Sequence, residues 1–266
     1  MNHLSMNGSR ISYEDKGSGN TVLFVHGWNG SGYLWHMNLE GLSGSYRALA
    51  LDLPGHGDSQ IPQGFPFTME GYSAFIERFC DALHLADITL AGHSFGGSIA
   101  MHYAVHYPGR ASRLVLIDSP STGKVLPWPL RLPFLDKLLA IYQPLRGRRS
   151  YRRMLTSSVN HPEKLPTDWL EGAVTQASKV DRSALIQTTM LLRGMDLEAE
   201  LARIDLPVLV LWGDNDGSVK LDEAYHLRDS LADVRLEILP GCNHCPPYEY
   251  PDLVNTLITG FIEETS

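Results

Sequence analysis

The chain has 266 residues, 43% of them hydrophobic and 20% charged, with a formal net charge of −8. That length suits one α/β core carrying an insertion, and the composition excludes a disordered chain. The acidic balance disfavours nucleic acid as a partner, because phosphate binding needs a basic footprint.

In chain order, the first twenty residues lack the apolar run of a signal peptide. Nowhere does an apolar stretch approach the ~20 residues of a membrane span. Arg10–Glu14 reads as a strand after the Asn7-Gly8 turn. Thr21–Val25, Arg47–Leu51, Ile88–Ala91, Arg113–Ile117, Pro207–Trp212 and Val234–Leu239 follow as further strands. Most are continuous apolar runs, the pattern of strands covered on both faces. Helical patterns lie between them at Thr68–Leu83, with Thr68 as N-cap, and at Gly96–Tyr107, Ser218–Leu231 and Tyr250–Ile262. Strand–helix alternation with short links predicts an α/β fold with a mostly parallel, doubly wound sheet.

The alternation fails between Ser121 and Asp196, a proline-rich stretch of short amphipathic pieces. We read residues 122–196 as an inserted helical cap, and 1–121 with 197–266 as the core. The cap holds twelve Lys/Arg against six Asp/Glu although the protein is acidic. Its densest run contains Arg146, Arg148, Arg149, Arg152 and Arg153. Such a run is either a solvated helical face or an entrance for anionic or carrier-linked substrates.

Gly92-His93-Ser94-Phe95-Gly96-Gly97 follows an apolar strand and opens a helix. A serine on that tight turn projects its hydroxyl above the sheet, beside the positive end of a helix. Serine needs a base. Of eleven histidines, His244 is best placed, in the loop after the last strand. That loop overhangs the carboxyl ends of the strands, where open sheets bind ligands. The acid that orients the imidazole comes from Gly213-Asp214-Asn215-Asp216. Asp216 reaches back more easily than Asp214, and Asp118 is a third option. Oxyanion donors are expected from the backbone N–H of Phe95 and of Trp28 in His26-Gly27-Trp28. Trp28, His93, Phe95, Trp128, Phe134 and Leu138 are expected to contact substrate. Leu126, Leu130, Leu135, Leu139 and Tyr142 are further apolar candidates for the pocket wall.

Taken together and in order, these segments resemble the cap-bearing branch of the α/β-hydrolase superfamily. His26-Gly27 is similar to its oxyanion loop, Asp52-Leu53-Pro54-Gly55-His56-Gly57-Asp58-Ser59 to its D-x-P-G-x-G-x-S loop, and Gly92–Gly97 to its nucleophile elbow. Gly213–Asp216 and Gly241–His244 resemble the acid and histidine loops, which favours Asp216 as the acid. Lys220 stands where relatives often carry proline. Relatives that dehalogenate alkanes or open epoxides use an elbow aspartate, which Ser94 argues against.

The resemblance implies an esterase acting through an acyl-enzyme, or alternatively a dienoate C–C hydrolase, a lactonase or a thioesterase. A small-ligand receptor on the same fold is the non-enzyme alternative. No cofactor is implied. Cys242 and Cys245 have CxxC spacing, but two further metal ligands are not evident nearby, so no metal is expected. Three cysteines do not make a disulfide framework, and a reducing, cytoplasmic setting is expected.

Overall fold

A computed structural model describes residues 1–125, 132 and 147–266. Eight strands form one sheet in the order β1-β2-β4-β3-β5-β6-β7-β8. They are β1 Asn2–Met6, β2 Ser9–Lys16, β3 Thr21–Val25, β4 Arg47–Leu51, β5 Ile88–His93, β6 Ala111–Ile117, β7 Val208–Gly213 and β8 Val234–Leu239. The β1–β2 and β2–β4 pairs are antiparallel and the remaining pairs are parallel. β1 is an addition to the sequence reading. It is a mostly exposed edge strand that lacks the apolar run of a buried one.

Helices cover both faces: α1 His36–Leu42, α2 Met69–Ala82, α3 Phe95–His106, α8 Asp222–Ser230, α9 Pro246–Glu249 and α10 Pro251–Glu264. Thr68 caps α2 through its hydroxyl, which accepts the Gly71 N–H at 3.1 Å. α2 buries Tyr72, Phe75, Ile76 and Phe79, each contributing roughly 1.5–3 kcal/mol of transfer free energy. α1 was not evident in the sequence, because its seven residues include an asparagine and a glycine.

Between β6 and β7 the described helices are α4 Arg148–Ser157, α5 Thr167–Ala177, α6 Arg182–Gly194 and α7 Glu198–Leu201. The two ends of this insertion meet. Thr122 bridges Asp196, the Gly123 N–H donates to Met195 O at 2.8 Å, and the Leu197 N–H donates to Ser121 O at 3.0 Å. A separate apolar cluster built on Tyr151, Trp169, Leu170, Val174 and Leu185 joins the insertion to Cys245 and Tyr248 of the core.

β5 and α3 pass each other at backbone contact. A Cβ added to Gly92 would lie 2.4 Å from backbone atoms of Gly96 and Gly97. Gly92→Ala should therefore force helix and strand apart and cost about 1–3 kcal/mol, as overpacking does. Urea denaturation checks this, with a lowered midpoint at unchanged m-value expected.

Candidate active site

Because β3, β5, β6, β7 and β8 are parallel neighbours, their following loops emerge at one edge of the sheet. Ser94 follows β5 and takes φ 52°, ψ −122°, a conformation most non-glycine residues avoid. Strain of this kind costs on the order of 1–3 kcal/mol. Its backbone is held on both sides. The Ser94 N–H donates to Ile117 O at 2.8 Å, and the Ser94 carbonyl accepts the N–H groups of Gly97 and Ser98.

Ser94, His244 and Asp216 come together as the sequence predicts. His244 Nε2 lies 3.2 Å from Ser94 Oγ, and His244 Nδ1 lies 2.7 Å from Asp216 Oδ2. Asp216 has no exposed side-chain surface. Its other oxygen accepts the N–H groups of Ser218 at 2.6 Å and Val219 at 2.9 Å. With Nδ1–H donated to Asp216, Nε2 is left as an acceptor for the Ser94 hydroxyl. Asp214 instead accepts the Gly241 N–H at 2.8 Å and serves the turn.

The histidine loop is cross-braced. Asn243 Oδ1 accepts the N–H groups of His244 and Gly217, and Glu249 accepts the Asn243 N–H at 2.8 Å. His93 donates Nε2–H to the His244 carbonyl at 2.6 Å. Burial, with the nearby His244, pushes the His93 imidazole down to about 3. His93 borders the cavity, but that nitrogen is committed to the loop.

Asp118 also lies here, buried at the end of β6 with φ 46°. One oxygen accepts the Gly213 N–H at 2.9 Å, and the other has no partner among the described residues. Burial first, and then the charge of Asp216, raise its carboxyl well above the ordinary range. The motif Asp52–Ser59 is a structural brace. Asp52 accepts the Gly32 N–H at 2.7 Å and the Asp58 N–H at 2.9 Å. His26 Nε2 accepts the Leu53 N–H at 3.0 Å and ties that brace to the Trp28 loop.

Two expectations about side chains change. The Phe95 ring is fully buried and packs edge-on against Tyr72, 5.3 Å between centroids, so it contributes to the core and not to the cavity wall. Its place at the start of α3 directs the ring toward α2. The Trp28 ring does border the cavity, and its Nε1–H donates to Thr189 Oγ1 of α6 at 2.9 Å. Neither the Trp28 nor the Phe95 backbone N–H has a hydrogen-bond acceptor among the described residues. Leu126, Trp128, Leu130, Phe134, Leu135, Leu138, Leu139, Tyr142 and Arg146 lie outside the described residues.

Ser94 and His244 line a cavity of about 250 Å³. Its other walls include Met154 and Leu155 of α4, Leu192 of α6 and Tyr248, none of which sequence patterning singled out. Tyr248 was the one within reach of the sequence, since Pro246-Pro247 opens a short helix two residues after His244. The Tyr248 hydroxyl pairs with Ser158 Oγ at 2.7 Å, joining the insertion to the His244 loop. Of the basic run, Arg148 and Arg152 both pair with Glu171, while Arg149 and Arg153 are exposed. Cys80, Cys242 and Cys245 are free and buried, and burial raises all three thiols. Among the described residues, no helix is long and apolar enough to cross a membrane. Two groups there could gather a metal ion, His93 with Asp118 and His244, and His102 with His106 and Glu200.

A family model for the alpha/beta hydrolase fold matches residues 20–251, and the chain belongs to that family. It is 28% identical over 248 residues to a pimeloyl-[acyl-carrier protein] methyl ester esterase of Nitrosomonas europaea, covering 91% of this chain and 95% of that one. It is 24% identical to a 2-hydroxy-6-oxo-6-phenylhexa-2,4-dienoate hydrolase of Burkholderia cepacia, covering 98% and 94%. An esterase structure from Exiguobacterium antarcticum superposes with a TM-score of 0.83 at 20% identity, covering 97% of both chains. At that identity the likeness speaks for the fold.

Two buried imidazoles give a test of the electrostatics. His56 is pushed down to about 4 and His93 to about 3, in both cases chiefly by burial. Both should stay neutral in NMR titrations from pH 8 to pH 5. In the unfolded chain they protonate near pH 6.5. Their contribution to stability is therefore complete above that pH and is lost as the pH falls through about 4 and 3. A midpoint between pH 6 and 7 for either ring would contradict their burial.

Proposed function

We propose that this α/β-hydrolase-fold protein is a serine hydrolase that cleaves carboxylic esters through an acyl-enzyme. The observation carrying this reading is the unbroken chain of contacts Ser94–His244–Asp216 opening into the cavity. Ser94 Oγ attacks the ester carbonyl while His244 Nε2 takes its proton. Asp216 holds the imidazole by Nδ1–H and stabilises the imidazolium. The backbone N–H groups of Phe95 and Trp28 receive the oxyanion, a role supported by their lack of acceptors among the described residues. The tetrahedral intermediate collapses as His244 protonates the leaving alkoxide. Water activated by the same imidazole then releases the acid.

In this reading residues 122–196 form a cap over a core of 1–121 and 197–266. Support comes from the paired ends at Thr122 and Asp196, and from the cavity wall shared by α4, α6 and the loops of the core. Most of the surface of that wall is apolar, which favours small to medium acyl or aromatic esters. The exposed Arg149 and Arg153, with the carrier-linked ester named for the Nitrosomonas europaea relative, support an anionic or carrier-linked ester as substrate. A cytoplasmic setting goes with three unbridged thiols. The dienoate hydrolase relative supports a second reading, C–C bond hydrolysis at the same serine.

A series of p-nitrophenyl esters of rising chain length, with a dienoate beside them, decides between the two readings. Ester turnover with no dienoate loss is the expected result.

Ser94→Ala should lower kcat by about 10⁴ or more, and a fluorophosphonate should label Ser94 alone. Retention of most of the rate would remove Ser94 as nucleophile. Asp216→Asn should lower kcat by orders of magnitude, since it forfeits the tautomer that presents Nε2 to Ser94. Asp118→Asn should cost far less, because Asp118 accepts the Gly213 N–H, whereas it is Asp216 that holds His244 Nδ1. Equal losses in the two variants would mean that the acid is shared.

A further inference from the structure

Away from the cavity, about two turns along α3 from Ser94, a second group of side chains converges. His102 and His106 stand at i and i+4 on one face of α3, with their rings stacked 4.1 Å apart. Glu200 of α7 reaches His106 Nε2 with Oε1 at 3.3 Å. Glu70 of α2 faces His102 Nε2 at 3.8 Å, beyond hydrogen-bond distance. One ligand atom from each of His102, His106 and Glu200 lies within 4.8 Å of the others.

Three features set this group apart from a surface ion pair. His102 is 2% exposed, and its Nδ1 is engaged with Ser73 Oγ at 2.8 Å. With the proton on Nδ1 and donated to that hydroxyl, Nε2 remains a bare lone pair with no close donor. Metal-bound histidines are oriented in this way by their second nitrogen. The Oε2 atom of Glu200, on the carboxylate whose Oε1 meets His106, is buried and has no partner among the described residues.

We propose that His102, His106 and Glu200, with Glu70 as a fourth arm, bind one divalent transition-metal ion of the zinc class. Two imidazole nitrogens with carboxylate oxygens suit Zn²⁺, and are poorly matched to Ca²⁺ or Mg²⁺, which prefer oxygen alone. Tetrahedral Zn²⁺ with bonds of about 2.0–2.1 Å needs its ligand atoms about 3.3 Å apart. His106 and Glu70, the more exposed members, supply the movement that closes the set. The ion would join α2, α3 and α7 at one point, on the helix that begins at Ser94. It takes no part in ester cleavage, and its binding stands independently of the activity.

The test is calorimetric titration of the full-length protein with Zn²⁺, repeated with Co²⁺ to read visible d–d absorption. Wild type should bind one equivalent, give the intense absorption of tetrahedral Co²⁺, and gain roughly 5–10 °C in Tm at a hundredfold excess over Kd. His106→Ala, at a half-exposed position that the fold tolerates, should bind at least about tenfold more weakly and lose the Tm gain. Glu200→Gln should do the same. His244→Ala should keep both, because the only other gathered group among the described residues contains His244. No binding by wild type would overturn the assignment. So would binding that survives in both His106→Ala and Glu200→Gln, or binding that disappears in His244→Ala.

Discussion

Between Gly92 and Gly96 there is no room for a methyl group, and the geometry around Ser94 follows from that contact. A strand and a helix can meet so closely only if the residue joining them turns through an unfavourable conformation, and Ser94 does so at φ 52°. The strain is offset locally by the bond to Ile117 O and by two N–H groups on the Ser94 carbonyl. The hydroxyl is thereby presented at the sheet edge without help from its own rotamer. Gly97 adds to the constraint from the other side, since a Cβ there would meet Ser119. A side chain on a rigid turn loses little entropy when it acts, which is the preorganisation that the nucleophilic role proposed for Ser94 needs.

The same edge holds two buried carboxyls, Asp216 and Asp118, and both cannot carry charge cheaply in low dielectric. The number of donors decides between them. Asp216 receives His244 Nδ1–H and two backbone N–H groups, whereas Asp118 receives one backbone N–H. The donors therefore favour a carboxylate at Asp216, beside the imidazole, while burial and the charge of Asp216 raise the Asp118 carboxyl.

Much of this was legible in the sequence because it depends on local pattern. Apolar runs marked the parallel strands, and the turn residues after β5, β7 and β8 marked Ser94, Asp216 and His244. What escaped depends on tertiary placement. β1 carries too few buried residues to show a period. The Phe95 ring could be assigned to cavity or core only once α2 was seen beside α3. Met154, Leu155 and Leu192 lie on helices whose sequence does not reveal which face meets the core. The i, i+4 pair His102 and His106 was visible, but its carboxylates come from α2 and α7, far away in the chain.

The segment between β6 and β7 also makes polar contacts with the rest of the chain. It is bonded to the two loops that flank Ser94. Trp28 donates to Thr189 of α6, and Asn160, just beyond α4, donates through its side chain to Gly241 O at 2.8 Å. Ser158 meets Tyr248, and Asn243 Nδ2 reaches Ser157 O at 3.4 Å. The proposed oxyanion donor of Trp28 and the proposed base His244 are thus each tied to a different helix of the insertion. The cavity is lined by Met154 and Leu155 of α4 and by Thr189 and Leu192 of α6, the same helices that these bonds join to the Trp28 and His244 loops.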